Sequence, residues 1–405
     1  MPLLTSLLIL IVVARLFGQL MLKFKQPEIV GEMLAGVLLG PSVLNLIQAN
    51  SHLSAISDLS VFLIVLSAGL EMNFKDVVNA LRGKGIVISV LGFVIPLFSG
   101  IIVGQLFHMS IVRTVFLGLC IAITALPVAV KILQSFDILN SEISRYSVAT
   151  AIFNDVAALL ALGVILNLPE QRSFQTVSLS IFFTGGKLMV LAAFILGFNW
   201  FIEKVVEKGI HIERIPEKVI KVLGNEALFG ILVLFVLIFG SVSEMLGFHF
   251  VIGAFFGALL IDRKFFLASR YRELERTLGA ITGGFLAPVF FAYLGLEFNV
   301  SAMESIGFVV VVLIVSMVSK IIAGWVGGRL IGLSKINSLG IGFILNGRGV
   351  MELVIASIAF SRGFIGQGLF STLVLMGVVT TMITPLMFRK WVMPKLTVDH
   401  PGQQA

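Results

Sequence analysis

Charge is scarce in this chain. Asp, Glu, Lys and Arg make up only 13% of its 405 residues, against roughly a quarter in soluble domains. There is one cysteine, Cys120, so no internal disulfide can form, and its apolar surroundings make it inert packing. The five histidines (His52, His108, His211, His249 and His400) fall at or beyond the ends of apolar runs. With no His/Cys cluster, no metal centre or cofactor is expected. With no Ser–His or paired-Asp arrangement, no hydrolytic enzyme is expected either. Three Trp and three Tyr, against 35 Phe, leave only a weak aromatic belt. Nor is a signal peptide expected: the first run, "LLTSLLILIVVARLFGQLML", is too long for one and has no small-residue cleavage site, and reads as the first membrane helix.

Apolar sequence fills the space that charge leaves. The chain is 58% hydrophobic, with a mean hydropathy of +1.07, which fits an all-α polytopic membrane protein solvated by lipid. Thirteen spans are expected at about 3–22, 28–47, 55–71, 85–106, 112–134, 144–167, 177–201, 224–244, 248–262, 278–296, 305–329, 338–361 and 367–388. Of the 29 Lys and Arg, 21 fall in one alternating set of loops plus the tail. Three (Arg113, Arg172 and Arg362) fall in the other set, and five (Arg15, Lys131, Lys187, Lys320 and Arg348) lie within spans. The positive-inside rule then places the N-terminus outside and the C-terminus, with the short tail 389–405, in the cytoplasm. The same clustering assigns the net charge of +7 to cytoplasmic loops rather than to nucleic acid. Two longer loops, "EKVVEKGIHIERIPEKVIK" and "RKFFLASRYRELERT", read as amphipathic interfacial helices.

The chain repeats itself. "GEMLAGVLLG" (31–40) resembles "VIGAFFGALL" (251–260), "SAGLEMNF" (67–74) resembles "YLGLEFNV" (293–300), and the polar break "ITALPVAVK" (123–131) answers "ILNGRGVME" (344–352). With a seventh span between two six-span halves, the second copy is inverted, a pattern found in secondary transporters. Thr124 and Pro127 interrupt span five; Asn346, Gly347, Arg348 and Gly349 interrupt span twelve. Freed backbone groups at membrane depth persist where protein or a water-filled cavity satisfies them, and half-helix ends can stabilise ions. Two ordinary kinks are the bland alternative.

At the centre of span six, "SVATAIFNDVAALLALGVIL" carries Asn154 and Asp155. A carboxylate there costs on the order of 2.5–3.5 kcal/mol on insertion scales, so it needs a partner or a task. Lys320, inside "IVSMVSKIIAGWVGG" of span eleven, is the natural partner; its stem could instead snorkel to the cytoplasm. A lone carboxylate binds a proton or a small cation in competition, which is what a coupled exchanger requires. Arg348 and Glu352, spaced i and i+4, suit a pair, and Arg348 also suits the carbonyl ends of the broken helices. Glu71 and Glu297 end the two "GLE" segments and read as helix-end structure or cation-attracting funnels; Glu28, Glu32 and Glu226 read as interfacial or dimer-side.

"AITALPVAVKIL", "FNDVAAL", the Lys320 segment, "NGRGVMEL" and the repeated "GLE" resemble the monovalent cation:proton antiporter-2 family. That family holds bacterial sodium/proton antiporters, potassium-efflux membrane domains and plant cation/proton exchangers. The resemblance implies thirteen helices with broken, crossing spans five and twelve. It implies dimerisation helices at about 3–47 and 177–262, core helices at about 55–167 and 278–388, a homodimer and elevator-type alternating access. It implies that Asp155 binds Na⁺ or K⁺ and the proton, with Thr124 and Asn154 beside it and Lys320 pairing with it when the site is empty, in the inner membrane of a bacterium. Many electrogenic members carry two adjacent acids where this chain has Asn154 and Asp155. One carboxylate suits electroneutral exchange, while the retained Lys320 points the other way. Alternatives are an organic-anion symporter on a similar scaffold and a non-transporting membrane sensor.

Overall fold

The computed structural model describes residues 2–24, 26–72, 83–167, 174–207, 221–222, 224, 226–261, 266, 268–303 and 305–399. All regular structure among them is helical. In chain order the helices are α1 (Leu3–Lys23), α2 (Glu28–Leu39), α3 (Ser51–Glu71), α4 (Gly85–Leu106), α5 (Ile111–Ala122), α6 (Leu126–Ser135), α7 (Glu142–Ile165), α8 (Phe174–Glu207) and α9 (Glu226–Met245). They continue with α10 (Phe250–Leu259), α11 (Ala268–Ile281), α12 (Ala287–Glu297), α13 (Ile306–Leu330), α14 (Lys335–Ile344), α15 (Val350–Ser361), α16 (Gln367–Trp391) and α17 (Met393–Asp399). Among the described residues, ten helical stretches are long and apolar enough to cross a membrane, and Phe250–Leu259 and Val350–Ser361 are shorter apolar helices.

Two departures from the sequence expectation have local causes. The second apolar run carries helix over only 12 residues, about 18 Å at 1.5 Å per residue. The Gly40 N–H bonds back to Gly36 at 2.8 Å, and Pro41, with no N–H, ends the run. The basic segment after residue 262 is no separate interfacial helix. From Ala268 it forms α11, which runs through a π-turn at Thr282–Leu286 into α12. The resulting 29-residue stretch Ser269–Glu297 is about 44 Å long, so its charged first turns extend past ~30 Å of hydrocarbon. The other amphipathic segment is helical to Glu207, and its residues 208–220 lie outside the described ones.

The helices pack as two compact units: residues 1–57, 76–158 and 288–405 form the first, and 58–75 and 159–287 the second. In the first unit α2 is held between α1 and α12 by backbone-to-backbone approach. A Cβ on Gly36 would fall on the Ala292 carbonyl, one on Gly31 on that of Phe17, and one on Gly295 on that of Met33. Small residues are the usual means of such contact between membrane helices. A second core in this unit gathers Val128, Ile132, Ile143, Ile341, Ile344 and Phe388 around the two interrupted helices. The other unit has its own core, with Phe62, Leu66, Val236, Ala254 and Leu278 among its residues.

Candidate functional site

Both polar breaks interrupt helices, and they meet. Span five divides into α5 and α6 at Ile123–Ala125, where Ile123 (φ −73°, ψ 146°) and Ala125 (φ −81°, ψ 119°) are extended. Pro127 lies just past the break, in the first turn of α6. A proline is tolerated there because no intrahelical N–H is needed, whereas an uninterrupted helix would drive its ring into the Ile123 carbonyl. Span twelve divides into α14 and α15 across Leu345–Gly349. The Ala125 N–H donates to the Gly347 carbonyl at 2.9 Å, and the Thr124 hydroxyl donates to the Leu345 carbonyl at 2.8 Å. Glycine allows this approach: a Cβ on Gly349 would stand 2.9 Å from that of Ala125, and one on Gly347 3.2 Å from Val128.

The carbonyl end of α5 is the negative pole of a half-helix, and its last carbonyls have no intrahelical donor. Two buried cations supply donors. The Lys320 ammonium, wholly buried in α13, donates to the carbonyls of Ala122 and Gly92 (3.0 Å for Gly92) and to Thr124 Oγ1 at 2.8 Å. Arg348 Nη1 donates to the carbonyls of Cys120 and, at 3.1 Å, Ile123. It also pairs with Glu352 Oε2 at 3.6 Å, both side chains fully buried. Thr381 fixes the Arg348 backbone, accepting from its N–H at 3.1 Å and donating to its carbonyl at 3.0 Å.

Asp155 lies near the middle of α7 and is 3% exposed. Its Oδ1 is enclosed and meets no hydrogen-bonding protein group, and the same holds for Asn154 Oδ1 and Asn346 Oδ1. Asn154 Nδ2 donates to the Ala122 carbonyl at 3.3 Å and to Thr124 Oγ1 at 3.2 Å. Three buried oxygens thus lack a protein donor: the amide oxygens of Asn154, which bonds to the break of span five, and of Asn346, in the break of span twelve, and Oδ1 of Asp155, the residue after Asn154 in α7. Among the described residues no group of His, Cys, Asp and Glu has metal-cluster geometry.

Two expectations change in detail. Lys320 does not snorkel, and no ion pair joins it to Asp155: its three donors are already spent on Gly92, Ala122 and Thr124. The two remain electrostatic neighbours. Thr124 donates once and accepts twice, from Lys320 and Asn154, which uses its full hydroxyl capacity. Here it frames the site rather than presenting a free oxygen. Two groups went unanticipated from sequence. The Gly92 carbonyl had no signal. Thr381 had one, in the three threonines of "TTMIT" within a membrane run. Away from the crossing, Glu297 accepts from Tyr293 one turn earlier at 2.7 Å, which is helix-end structure. Glu32, expected at an interface, is 2% exposed and lies against Gly18 of α1.

The profile of the transmembrane sodium/hydrogen exchanger family matches residues 7–393. The chain is 26% identical to the Na⁺/H⁺-K⁺ antiporter GerN of Bacillus cereus over 93% of its own length and 92% of that protein. It is 25% identical to a Na⁺/H⁺ antiporter of Enterococcus hirae, over 95% and 97%. Cation/H⁺ antiporter 18 of Arabidopsis thaliana is 29% identical over 94% of this chain, which spans 47% of the plant protein. The fold is similar to that of the sodium proton antiporter MjNhaP1 of Methanocaldococcus jannaschii: TM-score 0.68, 17% identity, 96% of this chain and 97% of that one covered.

Proposed function

The chain belongs to the sodium/hydrogen exchanger family of monovalent cation:proton antiporters, and we propose that it exchanges Na⁺ or K⁺ for protons by binding them alternately at Asp155. One observation carries this reading: Asp155 holds a buried carboxylate oxygen without a protein donor, one residue after Asn154, whose amide nitrogen bonds to Ala122 and Thr124 at the break of span five. A dehydrated cation needs oxygen ligands and a compensating charge. A proton needs only the carboxylate. Occupancy by one excludes the other, and movement of the occupied site across the membrane gives exchange.

In this reading Lys320 is the resting counter-charge of Asp155, near it but bonded to the Ala122 and Gly92 carbonyls and the Thr124 hydroxyl, and it closes on the carboxylate when cation and proton have left. Thr124, Pro127, Asn346, Gly347, Arg348 and Glu352 keep the crossing rigid. Thirteen helices span the bilayer in two inverted six-helix repeats. Helices at about 55–167 and 278–388 form the moving core, and those at about 3–47 and 177–262 the dimerisation part of a homodimer. This division cuts across packing, since α1 and α2 belong with the first compact unit; it follows the family resemblance. The N-terminus is outside, the C-terminus cytoplasmic, and the membrane is the bacterial inner membrane. A single carboxylate supports electroneutral one-for-one exchange.

Purified protein in proteoliposomes is expected to move protons in response to Na⁺ or K⁺ gradients, with a rate insensitive to imposed voltage. A voltage-dependent rate would overturn electroneutrality, and no cation-linked proton movement with Na⁺, K⁺ or Li⁺ would overturn the function. Lys320→Ala is expected to displace the pH at half-maximal flux while leaving measurable exchange, because the residue competes for Asp155 without carrying the ion. An unchanged pH profile would remove Lys320 from the cycle.

A further inference from the structure

Beside the crossing the first unit holds a second polar feature that cation binding does not use. Arg348 is 1% exposed, yet its Nε and Nη2 meet no hydrogen-bonding protein group, and neither Glu352 oxygen accepts a hydrogen bond. The contact between them is a 3.6 Å approach of Nη1 to Oε2, and Nη1 is already committed to two carbonyls. Buried charged groups with spare donors and acceptors cost several kcal/mol each unless something satisfies them.

A small cavity adjoins them. Measured as the room open to a water's centre it is ≈ 10 Å³, and Arg348, Gly349, Thr381 and Gly377 line it together with Ile29 and Met33 of α2. One water needs about 10–15 Å³ on that measure and two to four polar partners, so the volume suits one molecule and no larger ligand. Glu352 stands at its edge: Oε1 is 4.0 Å from the position a Cβ on Gly377 would take.

We propose that this cavity binds a single ordered water, which accepts from the free Nε–H or Nη2–H of Arg348 and donates to Glu352 Oε1 and Thr381 Oγ1. The charges around the cavity select water. A cation is excluded by the guanidinium, an anion by the carboxylate, and an apolar guest by both. The water gives Arg348 an acceptor on the side facing away from α5. Its Nη1 can then stay on the Cys120 and Ile123 carbonyls rather than turn toward Glu352. Arg348 is thus a positioning residue for the crossing, and the water holds it in place.

Gly377 gives a test that need not damage the fold. A Cβ there would meet Leu353 at 3.7 Å and Glu352 Oε1 at 4.0 Å, ordinary contacts, so Gly377→Ala fills the cavity without a clash and adds helix propensity. It is expected to leave the protein folded with thermal stability near or somewhat below the parent's, because the helix-propensity gain only partly offsets the lost water bonds, to lower maximal exchange roughly tenfold, the scale of one buried hydrogen-bonding group left unmet, and to leave half-saturating cation concentration unchanged. Gly377→Ser, whose hydroxyl can donate to Glu352 in the water's stead, is expected to recover part of that loss. A density map of the full-length protein in lipid nanodiscs is expected to show solvent between Arg348, Glu352 and Thr381, and this arm does not depend on transport. A map that resolves other buried waters but none here would overturn the proposal. Equal, wild-type flux in both variants would do so too, because a dry cavity is merely filled.

Discussion

Replacing Asp155 with Asn is expected to abolish cation-driven proton movement while leaving the protein at least as stable as the parent. Asn keeps the shape and oxygen of the side chain and loses its charge. A buried monovalent cation without a counter-charge pays several kcal/mol in desolvation, and every 1.4 kcal/mol is tenfold. The expected fall is therefore on the order of a hundredfold or more, down to the leak of protein-free liposomes. Stability moves the other way because Asp155 Oδ1 has no protein donor. Removing an unpartnered buried carboxylate relieves a cost rather than creating one. Flux in proteoliposomes and thermal unfolding in detergent separate the two effects. A dead variant that also unfolds early would mark Asp155 as structural. A stable variant that still exchanges Na⁺ or K⁺ for protons would move the ion site elsewhere.

Much of this site was legible in the sequence, for a definite reason. Lipid cannot satisfy free backbone groups, so Thr124 with Pro127, and the Asn346–Gly349 cluster at the matching repeat position, pointed to interruptions, whereas Pro96 and Pro385 lie within continuous helices. The helices stop at Ala122 and Ile344, where those signals begin. Asn154 and Asp155 stood out by the same logic of cost. What the sequence could not give was the rotation of each helix about its axis. Lys320 was placed in its span correctly, but whether its ammonium meets Asp155 or the Gly92 and Ala122 carbonyls depends on how α4, α5 and α13 face one another. No periodicity carries that, because these helices are apolar on nearly every side. Length misled in a different way. The run at 28–47 contains a Gly–Pro stop that was outweighed by its apolar content. The charged turns of α11 were severed from the rod they extend because charge was taken as the end of a helix.

The same crossing should fail structurally when Arg348 is replaced by Ala. The guanidinium is fully buried, compensates Glu352 and supplies donors to two carbonyls at the end of α5. Truncating one partner of a buried pair typically costs about 3–5 kcal/mol, because it strands the other charge. Here the Cys120 and Ile123 carbonyls lose their donor as well, each worth about 1 kcal/mol or more. A large drop in thermal unfolding temperature in detergent is therefore expected. Glu352→Gln should cost less, since Arg348 keeps its carbonyls and Gln keeps an acceptor. The double variant should recover much of the Arg348→Ala loss, because the stranded carboxylate is gone, but not all of it, because the carbonyls remain unmet. Arg348→Lys should fall between, as the shorter ammonium keeps the charge opposite Glu352 but does not place a donor where Nη1 meets the Cys120 and Ile123 carbonyls. Strict additivity of the two single changes would show that the pair is not energetically coupled. The stability of the crossing would then rest on its other bonds, among them those from the Ala125 N–H to the Gly347 carbonyl and from the Thr124 hydroxyl to the Leu345 carbonyl.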